Sequence, residues 1–150
     1  MNDQTSEVTL LRHFTAALDY RTRKALDGAP AGYATFSPGK DVRTPVEILV
    51  HMGDVLSFAV KKLRGDESPR PPRLTSPGWN DERQRFRAIL GEFDSVLAGV
   101  DTLQRETALR LLQGPLADAM THAGQLAMLR RLCDAPIPPE NFFAAHIGEV

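Results

Sequence analysis

TPVEILVHMGDVLSFAVKKLRG, residues 44–65, carries its own start and stop signals. Thr44 offers a capping hydroxyl and Pro45 fills the first helical position, where its missing N–H is no loss. Glu47, three residues after Thr44, completes a capping box. Between the ends, Val46, Leu49, Gly53, Leu56, Val60 and Leu63 alternate three and four apart. That stripe suits a helix packing at about 20° in a bundle. Gly53 within it costs about 1 kcal/mol against alanine, so it predicts close approach by a neighbouring helix. The helix gives out around Gly65. His51 lies on the flank of the stripe beside Val55 and Phe58, with Glu47 and Asp54 toward the polar side.

The same period recurs on both sides. Ser6–Asp27 places Leu11, Phe14, Leu18 and Ala25 on one face, an amphipathic helix of about six turns, with Gly28 placed to end it. Gly28–Arg43 holds Pro30, Gly32, Pro38 and Gly39 and reads as a loop. It also carries Tyr33 and Phe36, which a solvated linker would not need, so these aromatics are expected to fold back onto the helices. Asp66–Trp79 contains Pro69, Pro71, Pro72 and Pro77 and reads as a long connection. Asn80 is a good cap for a third long helix reaching Val100, with Phe86, Ile89, Leu90, Phe93, Val96, Leu97 and Val100 on its apolar face. Thr102–Leu112 is compatible with a short helix. Gly114-Pro115 breaks the pattern and opens the last long helix, Gly114–Leu132, whose apolar arc runs from Leu116 through Ala119, Ala123 and Leu126 to Leu129 and Cys133. Arg130 and Arg131 near its end suit the helix dipole. Asp134-Ala135-Pro136 stops it, and Phe142, Phe143 and Ile147 in the tail are expected to pack against the bundle. Strand signals and repeats are missing. The pattern predicts one all-α domain over residues 1–150, a four-helix bundle with two long connections.

Bulk properties narrow the function. The chain has 18 basic and 19 acidic residues, a net charge of −1, and 42% hydrophobic residues. Without a basic excess or stripe, nucleic acid is not an expected partner. No apolar run approaches the ~20 residues of a membrane span. The start, MNDQTSEVTL, lacks the basic-then-apolar order of a signal peptide, and the single cysteine, Cys133, excludes an internal disulfide. A cytoplasmic protein is expected.

Candidate chemistry converges on three residues. Asp118 and His122 are four apart on the last helix, so their Cβ atoms lie roughly 5–6 Å apart on one face. Both stand on the border of the apolar arc, and His51 stands on the equivalent border of its own helix. Alone, each has an ordinary alternative: a solvated acid–imidazole pair for the first two, a half-buried imidazole for the third. Together they would be a two-histidine, one-carboxylate ligand set for Zn²⁺, Fe²⁺, Mn²⁺ or Ni²⁺, with positions open to water, substrate or a substrate thiolate. Asp54, one turn after His51, could orient that imidazole. His146 in the tail could approach the site. Cys133 reads as a core thiol and His13 as a surface histidine. No G-x-S-x-G elbow or phosphate-cradling glycine pattern exists.

His51-Met52-Gly53-Asp54 resembles the H-x-x-D segment of DinB/YfiT-like metalloenzymes, and Thr121-His122-Ala123-Gly124-Gln125-Leu126 resembles their H-x-G-Q segment. The helix lengths, both long connections and the tail Pro139-Glu140-Asn141-Phe142-Phe143 also fit, so the resemblance spans nearly the whole chain. It implies an up-down-down-up bundle, a homodimer, and a divalent metal held by three histidines. The first maps to His51 and the last to His122; the middle one maps to position 118, where this chain has Asp118 instead. Relatives include thiol-dependent isomerases and transferases. The resemblance therefore implies a metal-dependent enzyme, a transferase using a low-molecular-weight thiol or a hydrolase of small molecules. The alternative is a non-catalytic bundle dimer, a binding or stress-response module that has lost the metal.

Overall fold

In the computed structural model, residues 6–70, 72 and 78–150 are described. The sequence readings that fall on residues 1–5, Pro71 and Pro77 lie outside them. Helix α1 spans Ser6–Leu26, α2 Pro45–Arg64, α3 Trp79–Ala98, α4 Arg105–Leu111 and α5 Ala117–Leu132, and among the described residues there is no strand. α2 packs on α3 and α5, and α1 packs on the same two, so α1 and α2 face each other across the diagonal of a four-helix bundle. No helix among the described residues is long and apolar enough to cross a membrane.

The core is the set of apolar stripes. Leu11, Leu18 and Ala25 of α1, Leu49, Leu56 and Val60 of α2, Phe86, Leu90, Phe93 and Leu97 of α3, and Ala119, Ala123, Leu126 and Leu129 of α5 are all buried in it. Burying each large side chain contributes about 1.5–3 kcal/mol. The ends of α2 are built as their residues require. Glu47 N donates to Thr44 Oγ1, Thr44 N donates to Glu47 Oε2 at 2.7 Å, and Gly65 closes the helix at φ 67°. Tyr33 folds inward as expected: it is buried, its hydroxyl donates to Leu126 O at 2.7 Å, and Trp79 meets its ring edge-on. Burial pushes the phenol pKa well up.

Four local expectations are corrected. α3 starts at Trp79, capped by Gly78, so Asn80 lies inside the first turn. Gly114-Pro115 does not separate two helices. Leu112–Leu116 forms one π-helical turn joining α4 to α5, and Pro115 sits inside it. Proline has no N–H for the regular ladder, and the wider turn lets the chain continue without that bond. Gly53 is approached not by a helix backbone but by a side chain: a Cβ there would lie 2.7 Å from Arg85 Nη1. In the tail, Phe142 packs edge-on against Tyr20 under the Arg21 guanidinium, whereas Phe143 is fully exposed. Glu140 anchors this tail to α1 by accepting from Tyr20 Oη and pairing with Lys24.

Arg130 is the least expected member of the interior. Only 6% exposed, it donates to Ala25 O and Asp27 O at 3.0 Å, Ala135 O at 2.9 Å and Gly28 O at 3.3 Å. One guanidinium thus satisfies carbonyls at the C-terminal ends of both α1 and α5, groups that a helix leaves without partners.

Candidate metal centre

His51 and Asp118 project from neighbouring helices, α2 and α5, and His122 follows one turn after Asp118. His51 Nε2 lies 3.0 Å from Asp118 Oδ2, and His122 Nε2 lies 3.7 Å from Asp118 Oδ1. The imidazole rings meet edge to face, 4.7 Å between centroids. One donor atom from each residue falls within 4.8 Å of the other two. Donors sharing one ion at about 2.1 Å are about 3–3.5 Å apart, so the arrangement needs only small side-chain shifts to fit an ion. Two neutral nitrogens and one carboxylate oxygen are a suitable donor set for a first-row divalent metal.

The π-turn bears directly on this site. It precedes Ala117, and Gly114, Pro115 and Ala117 line the same cleft as Asp118. That cleft, about 700 Å³, is also bordered by His51, Val55, Phe58 and Thr121. A second cleft of about 350 Å³, between Val42, Ile48, Met128 and Leu129, is walled by His122 and Gln125. Side-chain exposure follows this geography: His51 and Asp118 are 34% and 44% exposed, His122 only 12%. The first cleft leaves the His51 and Asp118 side of the group accessible to small molecules.

Other residues named from the sequence take different places. Asp54 pairs with Arg85 and Arg70, both at 2.5 Å, so its carboxylate is held by guanidiniums arriving from α3 and from the loop after α2. Those are long-range partners that helical spacing could not reveal. His146 and His13 are exposed and outside the three-residue group. Cys133 is half-buried against the core and donates to Arg130 O at 3.3 Å. One residue of the site had no role assigned from the sequence: Gln125, whose Oε1 lies 2.7 Å from His122 Nδ1. Its three-residue spacing from His122 was the available signal.

Comparison with known proteins adds the lineage. The family model for the DinB superfamily matches residues 14–132, which include all three clustered side chains. The chain belongs to the DinB superfamily. No curated protein and no solved structure gave a match. As a DinB superfamily member, the protein keeps the helices on which the resemblance places the family's metal ligands. Asp118 stands where that resemblance implies a histidine.

Proposed function

We propose that this DinB superfamily protein is a divalent-metal-dependent enzyme acting on a small molecule, with His51, Asp118 and His122 as its metal ligands. The observation that carries the reading is the convergence of three chemically suitable donors within 4.8 Å at the edge of an open cleft. Zn²⁺, Ni²⁺, Fe²⁺ and Mn²⁺ all suit two imidazoles and a carboxylate. A bound ion would supply Lewis acidity and lower the pKa of a water or thiol in its open position. Thiol transfer to a small acceptor, or hydrolysis, is the chemistry this arrangement serves. Val55 and Phe58 give the cleft an apolar wall, and Thr121, whose hydroxyl donates to Ala117 O at 2.9 Å, lines it as well. Cytoplasmic location and a homodimer complete the proposal.

One observation favours the alternative, a non-catalytic bundle dimer that has lost the metal. His51 and Asp118 already hydrogen-bond at 3.0 Å, so the pair is satisfied with no ion. Elemental analysis separates the readings. Protein purified without added metal carries close to one ion per chain under the first, and Asp118→Ala and His122→Ala lose it. Unchanged metal content in both variants would sink the ligand set. No stoichiometric ion, with a melting temperature indifferent to chelator, would establish the alternative.

A further inference from the structure

We infer that Gln125 is a positioning residue for the metal centre: its amide oxygen accepts the Nδ1 proton of His122 and leaves the Nε2 lone pair directed toward Asp118 and His51. The inference rests on the metal-centre reading above. A neutral imidazole carries one proton, and only its other nitrogen can take an ion. For His122 the two nitrogens are in unequal surroundings. Nδ1 is 2.7 Å from Gln125 Oε1, a short hydrogen bond, whereas Nε2 is 3.7 Å from the nearest Asp118 oxygen, too far for one. A proton on Nδ1 is therefore bonded, and a proton on Nε2 is not.

The surroundings strengthen this preference. Both residues sit on α5 and face the cleft formed by Val42, Ile48, Met128 and Leu129. The His122 side chain itself is only 12% exposed, which limits the competition from water for this hydrogen bond. His51 is the contrast. Its Nε2 is already engaged by Asp118 Oδ2, so the proton of that bond occupies the nitrogen an ion would need. An entering ion thus meets one imidazole set for it, His122, and one that must first exchange its proton between nitrogens. Gln125 accordingly makes His122 the anchoring ligand. With the amide turned over, its NH₂ would donate to Nδ1 and force the proton onto Nε2. That orientation has the opposite consequence, so the tautomer decides between them.

Two measurements on the full chain test this. Long-range ¹⁵N–¹H correlation spectra of the metal-free protein read the His122 tautomer directly. Titration with Co²⁺, followed by its visible absorption, gives the affinity of wild type, Gln125→Met and Gln125→Glu. Expected are an Nδ1–H tautomer in wild type, a shift toward Nε2–H in Gln125→Met, and a 10–100-fold loss of Co²⁺ affinity in that variant. Gln125→Glu restores both, because a carboxylate accepts the same proton. Matching melting curves for the three metal-free proteins show that the loss is not one of folding. An Nε2–H tautomer in wild type, wild-type affinity in Gln125→Met, or failure of glutamate to rescue would each overturn the role of Gln125. Wild-type protein that binds no Co²⁺ at all would instead overturn the metal centre itself, and this inference with it.

Discussion

Replacing Arg130 by methionine should destabilise the protein by about 3 kcal/mol, more than most single substitutions do. The figure comes from what the guanidinium touches. It donates to four backbone carbonyls, Ala25, Asp27, Gly28 and Ala135, across the ends of two helices. Hydrogen bonds from a charged donor contribute about 1.5–3 kcal/mol each, net. They are not additive, because the desolvation of one cation is shared among them. Methionine keeps most of the aliphatic stem, so packing is largely retained and the loss falls on the carbonyls. Water can re-solvate those at the surface, which brings the sum down to about 3 kcal/mol. For a chain of this length that corresponds to a fall in Tm of about 6–12 °C. Urea unfolding followed by far-UV circular dichroism measures it, with an unchanged m value confirming that the native state is otherwise intact. Arg130→Lys should fall between the two, since a single ammonium cannot span four acceptors. A loss below about 1 kcal/mol in Arg130→Met, or a lysine variant as stable as wild type, would refute the idea that one planar fork holds the α1 and α5 ends together.

Three further outcomes follow from local geometry. Asp134 closes α5 with φ 61°, and Asp134 N and Ala135 N donate back to Arg131 O and Arg130 O. Asp134→Gly should therefore stabilise by about 1 kcal/mol in thermal melts, and a destabilised variant would contradict the strain argument. Gly53→Ala should gain about 1 kcal/mol of helix propensity in an Arg85→Ala background and clearly less with Arg85 in place, because Arg85 Nη1 occupies the space of the new methyl; equal gains in both backgrounds would rule the crossing out. Lys24, and after it Tyr20, holds the Glu140 carboxyl below its ordinary value of 4.5. The folded protein thus binds that proton more weakly than the unfolded chain does, so the stabilisation is complete above that value and is lost as pH falls through the lowered one. Stability of Glu140→Gln should fall less steeply below about pH 5 than that of wild type, and parallel acid limbs would show that the tail contact carries no linkage.

The helices were legible because their signals are local. Thr44, Pro45 and Glu47 lie within one turn, and the stripe on α2 is a period that any packed helix must show. The bundle follows from four such stripes. What could not be read were features decided by groups distant in sequence or by a single residue of helical geometry. Pro115 signals a break, and only the neighbouring turns determine whether the chain bends away or widens into a π-turn and continues. Arg130 has the position of a dipole-complementing surface residue. Its burial depends on where the end of α1 arrives, more than a hundred residues earlier in the chain. Asp54 shares the helix of His51, yet Arg85 and Arg70 claim it. The candidate centre lies between these cases. Asp118 and His122 share a face by spacing, but their meeting with His51 depends on α2 and α5 being neighbours. Gln125 was visible as a residue and not as a partner, because nothing in spacing alone says which imidazole nitrogen turns toward it.

The proposed function requires that His51, Asp118 and His122 hold a divalent ion. Anomalous diffraction from crystals of the metal-loaded protein, measured on both sides of the metal's absorption edge, tests it most directly. The prediction is one peak per chain, about 2.0–2.2 Å from His51 Nε2, His122 Nε2 and an Asp118 oxygen. A peak elsewhere, or none there while His51 and Asp118 remain hydrogen-bonded to each other, would contradict it.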